Sequence, residues 1–229
     1  MNKLVRRSFL MHLNIKLFIL CACLVLSVPL YAKDVIAIEY PPFTSEKENR
    51  GGIAFELLFH AYPDENFKVE ILPPKRAFRR ISNGQWCYSF YPPVQGDEFQ
   101  SILLSNQHIK IGLVRLKQNI DFEWTALSDL KKLKVALLRT GDNSLFARQF
   151  SKAGLTIIYV ETVDQGVNLL RKKRVDLAIY DNYTFSHLSD EEKAGIQFSN
   201  NTFISTPITL FVNPKCNYSL PKPKESPIF

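Results

Sequence analysis

Residues 163–181 read VDQGVNLLRKKRVDLAIYD, and this stretch decides the fold class. Val163, Val167 and Leu170 recur at helical spacing, so Val163 to Lys173 is expected to be a helix with one buried stripe. Val175 to Tyr180 then forms the short, nearly continuous apolar run of a strand buried on both faces. Asp181 stands directly after it. A helix feeding a buried strand is part of a βαβ rhythm, and the chain repeats that rhythm in both directions.

Upstream, Leu133 to Leu138 and Leu155 to Val160 read as two more buried strands, with a helix near Asn143 to Lys152 between them. The first half has its own set: a strand at Asp34 to Glu39, a helix at Gly52 to Ala61, and a strand at Phe67 to Leu72. Ala54, Leu57, Leu58 and Ala61 share one face of that helix. Pro73-Pro74 opens a basic helix through Arg80, because proline fits a first helical turn, and Asn83-Gly84 supplies its stop. Trp86 to Tyr91 is expected to be a strand. Ile109 to Leu116, with no turn nearby, suits a connection crossing between the two halves, and Phe203 to Val212 a late strand carrying the chain back. Pro214, Pro221, Pro223 and Pro227 forbid a regular helix from Asn213 to Phe229, so a frayed or extended end is expected.

At the amino end, Lys3, Arg6, Arg7 and Lys16 precede an apolar run from Leu17 to Val28, and Leu30-Tyr31-Ala32 offers a small residue at a cleavage point. Residues 1–32 are expected to be a cleaved secretory signal, placing the mature chain in the periplasm. An uncleaved anchor fits less well, since Leu17 to Ala32 is short of the roughly 20 residues of a span and contains Pro29. A lipid-modified Cys23 would leave the apolar Leu24 to Leu30 at the start of the mature chain.

Four of the 29 basic residues and none of the 22 acidic ones lie in that segment, so the mature balance falls to +3. No nucleic-acid partner is expected: the one dense basic run, Arg171-Lys172-Lys173-Arg174, reads as a solvated helix end whose cations complement the helix dipole. Cys87 and Cys216 remain in an oxidising compartment, and both a disulfide and two independent buried thiols stay open. The chain has no nucleophile elbow, no phosphate-cradling glycine loop and no Cys or His pair at metal spacing. No catalytic residue, metal or cofactor is therefore expected, and His60, His108 and His187 read as structural.

The ordered motifs Tyr40-Pro41-Pro42-Phe43, Gly52-Ile53-Ala54-Phe55-Glu56-Leu57-Leu58, Pro74-Lys75-Arg76-Ala77, Asn83-Gly84-Gln85-Trp86, Asp129-Leu130-Lys131-Lys132-Leu133-Lys134-Val135 and Arg174-Val175-Asp176-Leu177-Ala178 resemble those of the extracytoplasmic solute-binding proteins of the polar amino-acid type, family 3. The resemblance spans about residues 34–212. It implies the α/β type II periplasmic binding fold, with two lobes joined by crossing strands and a polar ligand held in the cleft when a hinge closes. In that frame lobe one covers 33–107, lobe two 108–203, and 204–229 holds the return strand and tail. A monomer delivering a small polar solute to an inner-membrane ABC permease or a sensor is implied.

By the same resemblance, Tyr40 and Phe43 would cover an apolar part of the ligand, the alternative being a proline-rigid turn packed on its own lobe. Arg76 would offer a forked donor to a ligand carboxylate, the alternative being a solvated helix charge. Asp181 would hold a ligand ammonium, the alternative being a helix cap. Thr140, with Gly141 and Asp142, would hold an anionic group.

Departures from the pattern bear on the ligand. Pro93 to Phe99 lacks the Thr and Arg with which amino-acid binders commonly clamp an α-carboxylate, and Cys87 stands where an aspartate is common. The terminal helical pair that usually completes lobe one is missing, so lobe one must be closed some other way. A binding scaffold whose pocket has drifted toward sensing or partner contact is the main alternative, and a lyase using cleft carboxylates a lesser one.

Overall fold

The computed structural model describes residues 32–93, 98–139, 144–216 and 220–224. The expected signal up to Tyr31 and the loop Thr140, Gly141 and Asp142 lie outside the described residues. Among the described residues, no helix is long and apolar enough to cross a membrane.

Strand β1 (Lys33–Ile38) pairs in parallel with β2 (Phe67–Leu72) along its whole length, from Lys33↔Phe67 to Ile38↔Leu72. It also pairs in parallel with the two-residue β3 (Tyr88–Ser89). Helix α1 (Ile53–Ala61) joins β1 to β2, and α2 (Pro74–Ser82) joins β2 to β3. The pleat assigns the faces: Val35 and Ala37 pack with Phe55 and Leu58 of α1, while Ile36 packs with Ala77 and Ile81 of α2. Cover on both faces explains why β1 runs apolar from Val35 to Ile38 without alternating.

The second sheet is built the same way. Strands β5 (Ile109–Leu116), β6 (Lys134–Leu138), β7 (Thr156–Val160), β8 (Leu177–Asp181) and β9 (Ile196–Thr206) lie in the order β7-β6-β8-β5-β9. Helix α3 (Leu145–Lys152) links β6 to β7 and contributes Phe150 to one core, with Val135, Leu137 and Leu177. Helix α4 (Val163–Arg171) links β7 to β8 and buries Val163, Val167 and Leu170 against Ala136 and Ala178 on the other face. Two short helices, α5 (Asn182–His187) and α6 (Asp190–Ala194), precede β9.

Several expectations are corrected. Ile109 to Leu116 does not cross between the halves; as β5 it lies inside the second sheet, antiparallel to β8 and β9. The crossing falls to the polar stretch just before it. The late strand is two strands, because Pro207 interrupts the ladder between β9 and β10 (Thr209–Val212). β10 then inserts antiparallel between β3 and β4 (Gln100–Leu103), giving the first sheet the order β2-β1-β3-β10-β4. The strand expected from Trp86 to Tyr91 shrinks to β3 because its flanks bond elsewhere. The Trp86 carbonyl accepts from Asn213 Nδ2 at 2.9 Å. Ser89 Oγ bends the chain back by bonding both the carbonyl and the N–H of Tyr91.

The described residues of the tail, 213–216 and 220–224, are tied to the first sheet and its core. Cys87 and Cys216 form a disulfide, Leu220 packs on the first core, Lys224 pairs with Asp64, and its N–H donates to the Ala61 carbonyl at 3.1 Å. These contacts, together with β10, tie the described tail to the first sheet.

The two crossing segments run side by side. Leu104 N–H donates to the Ile208 carbonyl at 2.8 Å, and Ile208 N–H donates to Ser105 Oγ at 2.8 Å. Ser105 is buried. Replacing it by alanine strands a buried N–H, and Ser105→Ala is expected to cost about 1.5 kcal/mol in chemical denaturation. A loss below about 0.5 kcal/mol would show that water reaches this crossing.

Candidate functional site

In open α/β sheets ligands sit beyond the carboxyl ends of the parallel strands. In the first sheet those ends carry Tyr40 and Phe43 after β1 and Arg76 after β2; in the second they carry Arg139 after β6, Glu161 after β7 and Asp181 at the end of β8.

The loop after β1 is held from within. Tyr40 N–H donates to the Thr44 carbonyl at 2.7 Å, and the N–H groups of Phe43 and Thr44 both donate back to the Tyr40 carbonyl at 3.0 Å. The Pro41–Pro42 peptide is cis. The loop also caps α1, since Ile53 N–H donates to the Pro42 carbonyl and Ala54 N–H to the Phe43 carbonyl. This capping requires Gly52. Its φ of 99° suits only glycine, and a Cβ there would lie 2.7 Å from the carbonyl oxygens of both Pro42 and Phe43. Phe43 is buried in the first core.

Tyr40 differs from Phe43 in reaching the second sheet. Its ring packs against both cores, and its hydroxyl donates to Asp181 Oδ2 at 3.2 Å. Beside it, the rings of Phe43 and Tyr183 meet at 5.3 Å. Tyr183 was not singled out from the sequence, because nothing local marks an exposed-looking helix residue as a cross-sheet contact.

Asp181 is 1% exposed and caps α5. Oδ1 accepts from Thr184 N–H at 2.7 Å, and Oδ2 accepts from Thr184 Oγ1 at 2.8 Å as well as from Tyr40. Burial raises its pKa above the ordinary aspartate value, with the hydrogen bonds from Thr184 and Tyr40 opposing the rise. Burial also raises the Tyr40 phenol well above its usual range, and the Asp181 carboxylate adds to that. Asn182 anchors the same helix to β5 by accepting from Lys110 N–H at 2.6 Å.

Arg76 stands exposed in the first turn of α2 and makes no ion pair with a described residue. Arg139 and Glu161, missed from the sequence, pair at 2.6 Å at the ends of adjacent strands. Thr140 follows Arg139 but is outside the described residues. The structure thus brings Tyr40, Phe43 and Asp181 together, and among the described residues Arg76 makes no hydrogen bond or ion pair with them. Among the described residues, no group of three or more His, Cys, Asp or Glu side chains is arranged to hold a metal ion.

No protein-family model matches the chain, and no curated protein matches it in sequence. Solved structures do match in shape. The GluR0 ligand-binding core from Nostoc punctiforme, in complex with L-glutamate, superposes with a TM-score of 0.62 at 14% identity, covering 81% of this chain and 87% of that one. An ancestral arginine-binding protein bound to arginine gives 0.59 at 17% identity, covering 80% and 84%. Holo ArgBP from T. maritima gives 0.59 at 16% identity, covering 81% and 84%. At these identities the likeness establishes architecture: the chain has the two-lobed α/β fold of the periplasmic binding proteins.

Proposed function

We propose that the chain is a secreted binding protein of the family 3 type that captures a small amine-bearing polar solute between its two lobes, for an ABC permease or a sensor. One observation carries this reading. A buried carboxylate, Asp181, stands at a strand's carboxyl end and faces an aromatic loop from the other sheet across a single hydrogen bond. A ligand ammonium replacing the Tyr40 hydroxyl would offset the desolvation that now raises the carboxyl's pKa. Tyr40 and Phe43 would flank its apolar part. Arg76 and Thr140 are the anion-side candidates, with Arg76 joining only if the lobes rearrange. Solute-binding proteins bound to arginine and glutamate share the fold.

A second reading has support of its own. Both Asp181 oxygens already accept bonds from the protein, so Tyr40 closes the contact with no ligand required. A scaffold that has lost its solute and serves a partner would look like this.

A thermal-shift screen of residues 33–229 against amino acids, polyamines, organic acids and short peptides separates the two. A true binder gains about 2.7 kcal/mol at a hundredfold excess of ligand over its Kd. The expected result is a shift confined to amine-bearing solutes. A cooperative melt unmoved by every class would replace the solute reading with the partner reading.

A further inference from the structure

Three helices end in the same paired hydrogen bonds, and one of them breaks the residue pattern. At the end of α2, Gly84 N–H donates to the Ile81 carbonyl and Gln85 N–H to that of Arg80. At the end of α3, Gly154 N–H donates to Ser151 and Leu155 N–H to Phe150. Both glycines take the left-handed conformation this ending needs, at φ 68° and 85°. At the end of α4 the same bonds run from Lys173 to Leu170 and from Arg174 to Leu169, and the left-handed residue is Lys173, at φ 56°. A Cβ is disfavoured there. The chain accepts that strain in the middle of Arg171-Lys172-Lys173-Arg174.

This turn is one of three that adjoin at the amino ends of β6, β7 and β8, the end of the sheet away from Asp181. Asp176 N–H donates to the Lys134 carbonyl at 2.9 Å, and Lys134 N–H to Asp176 Oδ2 at 2.8 Å. Lys132 N–H donates to the Gly154 carbonyl at 2.8 Å. Lys132 is a second left-handed lysine, at φ 69°. Lys131, Lys132, Lys134, Lys152, Arg171, Lys172, Lys173 and Arg174 are therefore gathered at one pole, all exposed. None of them forms an ion pair with a described residue. Carboxylates near them include Asp129, Asp176 and, beside Arg171, Glu192 of α6, whose first turn also carries the exposed Asp190 and Glu191. Three of these accept from a backbone N–H: Asp129 from Ala126, Asp176 from Lys134 and Glu192 from Ser189. Because the chain after residue 32 carries an excess of only three positive charges, this concentration makes it strongly asymmetric in charge.

We propose that this pole is a docking surface for an anionic phospholipid membrane. Eight long, exposed cations, none ion-paired with a described residue, respond to charge density rather than to a fixed shape. A fluid array of negative headgroups supplies that density. Docking through the amino ends of the strands leaves Tyr40 and Asp181, at the opposite ends, facing away from the surface. The inference is independent of which solute, if any, the cleft takes.

Residues 33–229 form a compact unit and serve as the test protein. They are sedimented with vesicles of phosphatidylcholine alone and of phosphatidylcholine with about a third phosphatidylglycerol, at low and high salt. Binding is expected only to the anionic vesicles and is expected to weaken with salt. Each basic residue near such a surface contributes roughly fivefold in partition. Combining Arg171→Gln, Lys172→Gln, Lys173→Gly and Arg174→Gln should therefore lower it at least about a hundredfold. Lys173→Gly alone should raise the melting temperature while lowering the partition about fivefold, two opposite movements that misfolding does not produce. Absence of binding to anionic vesicles, or equal binding by the fourfold variant, would overturn the proposal. Binding to immobilised polyglutamate without binding to vesicles would also overturn it and assign the pole to an acidic protein.

Discussion

Replacing both Cys87 and Cys216 by alanine is expected to lower the unfolding free energy by about 4 kcal/mol. The two residues are 129 positions apart, so the bond closes a long loop, about two thirds of residues 33–229, and a long loop is the case in which a crosslink restricts the unfolded chain most. The native side points the same way. β3 meets β10 through only two residue pairs, Ser89↔Phe211 and Tyr88↔Val212, and the disulfide lies directly beyond them. Asn213 extends the seam, its N–H donating to the Cys87 carbonyl at 2.9 Å and its side chain to Trp86. Without the bond, β10 loses its clamp, and with it the return of the chain from the second sheet. Urea titrations of parent and double variant measure the difference, and a loss under about 1 kcal/mol would show that β10 and the packed tail hold the sheet unaided. Reduction of the parent should give the same loss.

How far the sequence carries depends on the range of the interaction. α4 and β8 are legible because burial writes itself into local sequence, as one helical stripe of Val163, Val167 and Leu170 in the first and as the consecutive run Leu177 to Tyr180, buried on both faces, in the second. β5 misleads for the same reason: an apolar run looks alike whether it crosses between sheets or pairs within one. The true crossing, Leu104 to His108, is polar and short, and its backbone is satisfied by Ser105 and Ile208, which no periodicity announces. The Cys87–Cys216 pairing needs spatial proximity that spacing does not supply. Asp181 is half legible. As an aspartate three residues before Thr184 it fits a helix cap, and it is one. Its contact with Tyr40 spans 141 positions and belongs to the tertiary fold.

That double role makes Asp181→Ala the sharper experiment. Were the residue only a ligand contact, the substitution would leave stability untouched. In this fold it strips the acceptor from Thr184 N–H, Thr184 Oγ1 and the Tyr40 hydroxyl at a buried position, so a loss of about 3 kcal/mol is expected. Asp181→Asn keeps an oxygen for Thr184 N–H and replaces Oδ2 with an amide that donates to the hydroxyl oxygens of Tyr40 and Thr184, and should cost less, about 1 kcal/mol. The two variants also separate the charge from the cap. Because burial raises the carboxyl's folded-state pKa, the folded protein keeps a proton that the unfolded chain has already released. This contribution is full below the ordinary aspartate value and is lost as pH rises through the folded-state pKa. Asp181→Asn removes it, so its stability should fall less than the parent's across that window in melts taken at successive pH values. An ammonium bound at Oδ2 reverses the sign by favouring the carboxylate: solute affinity should rise with pH through the same window, with release of a proton. Calorimetry in buffers of different ionisation enthalpy reads that proton directly, and binding without it would move the solute away from Asp181.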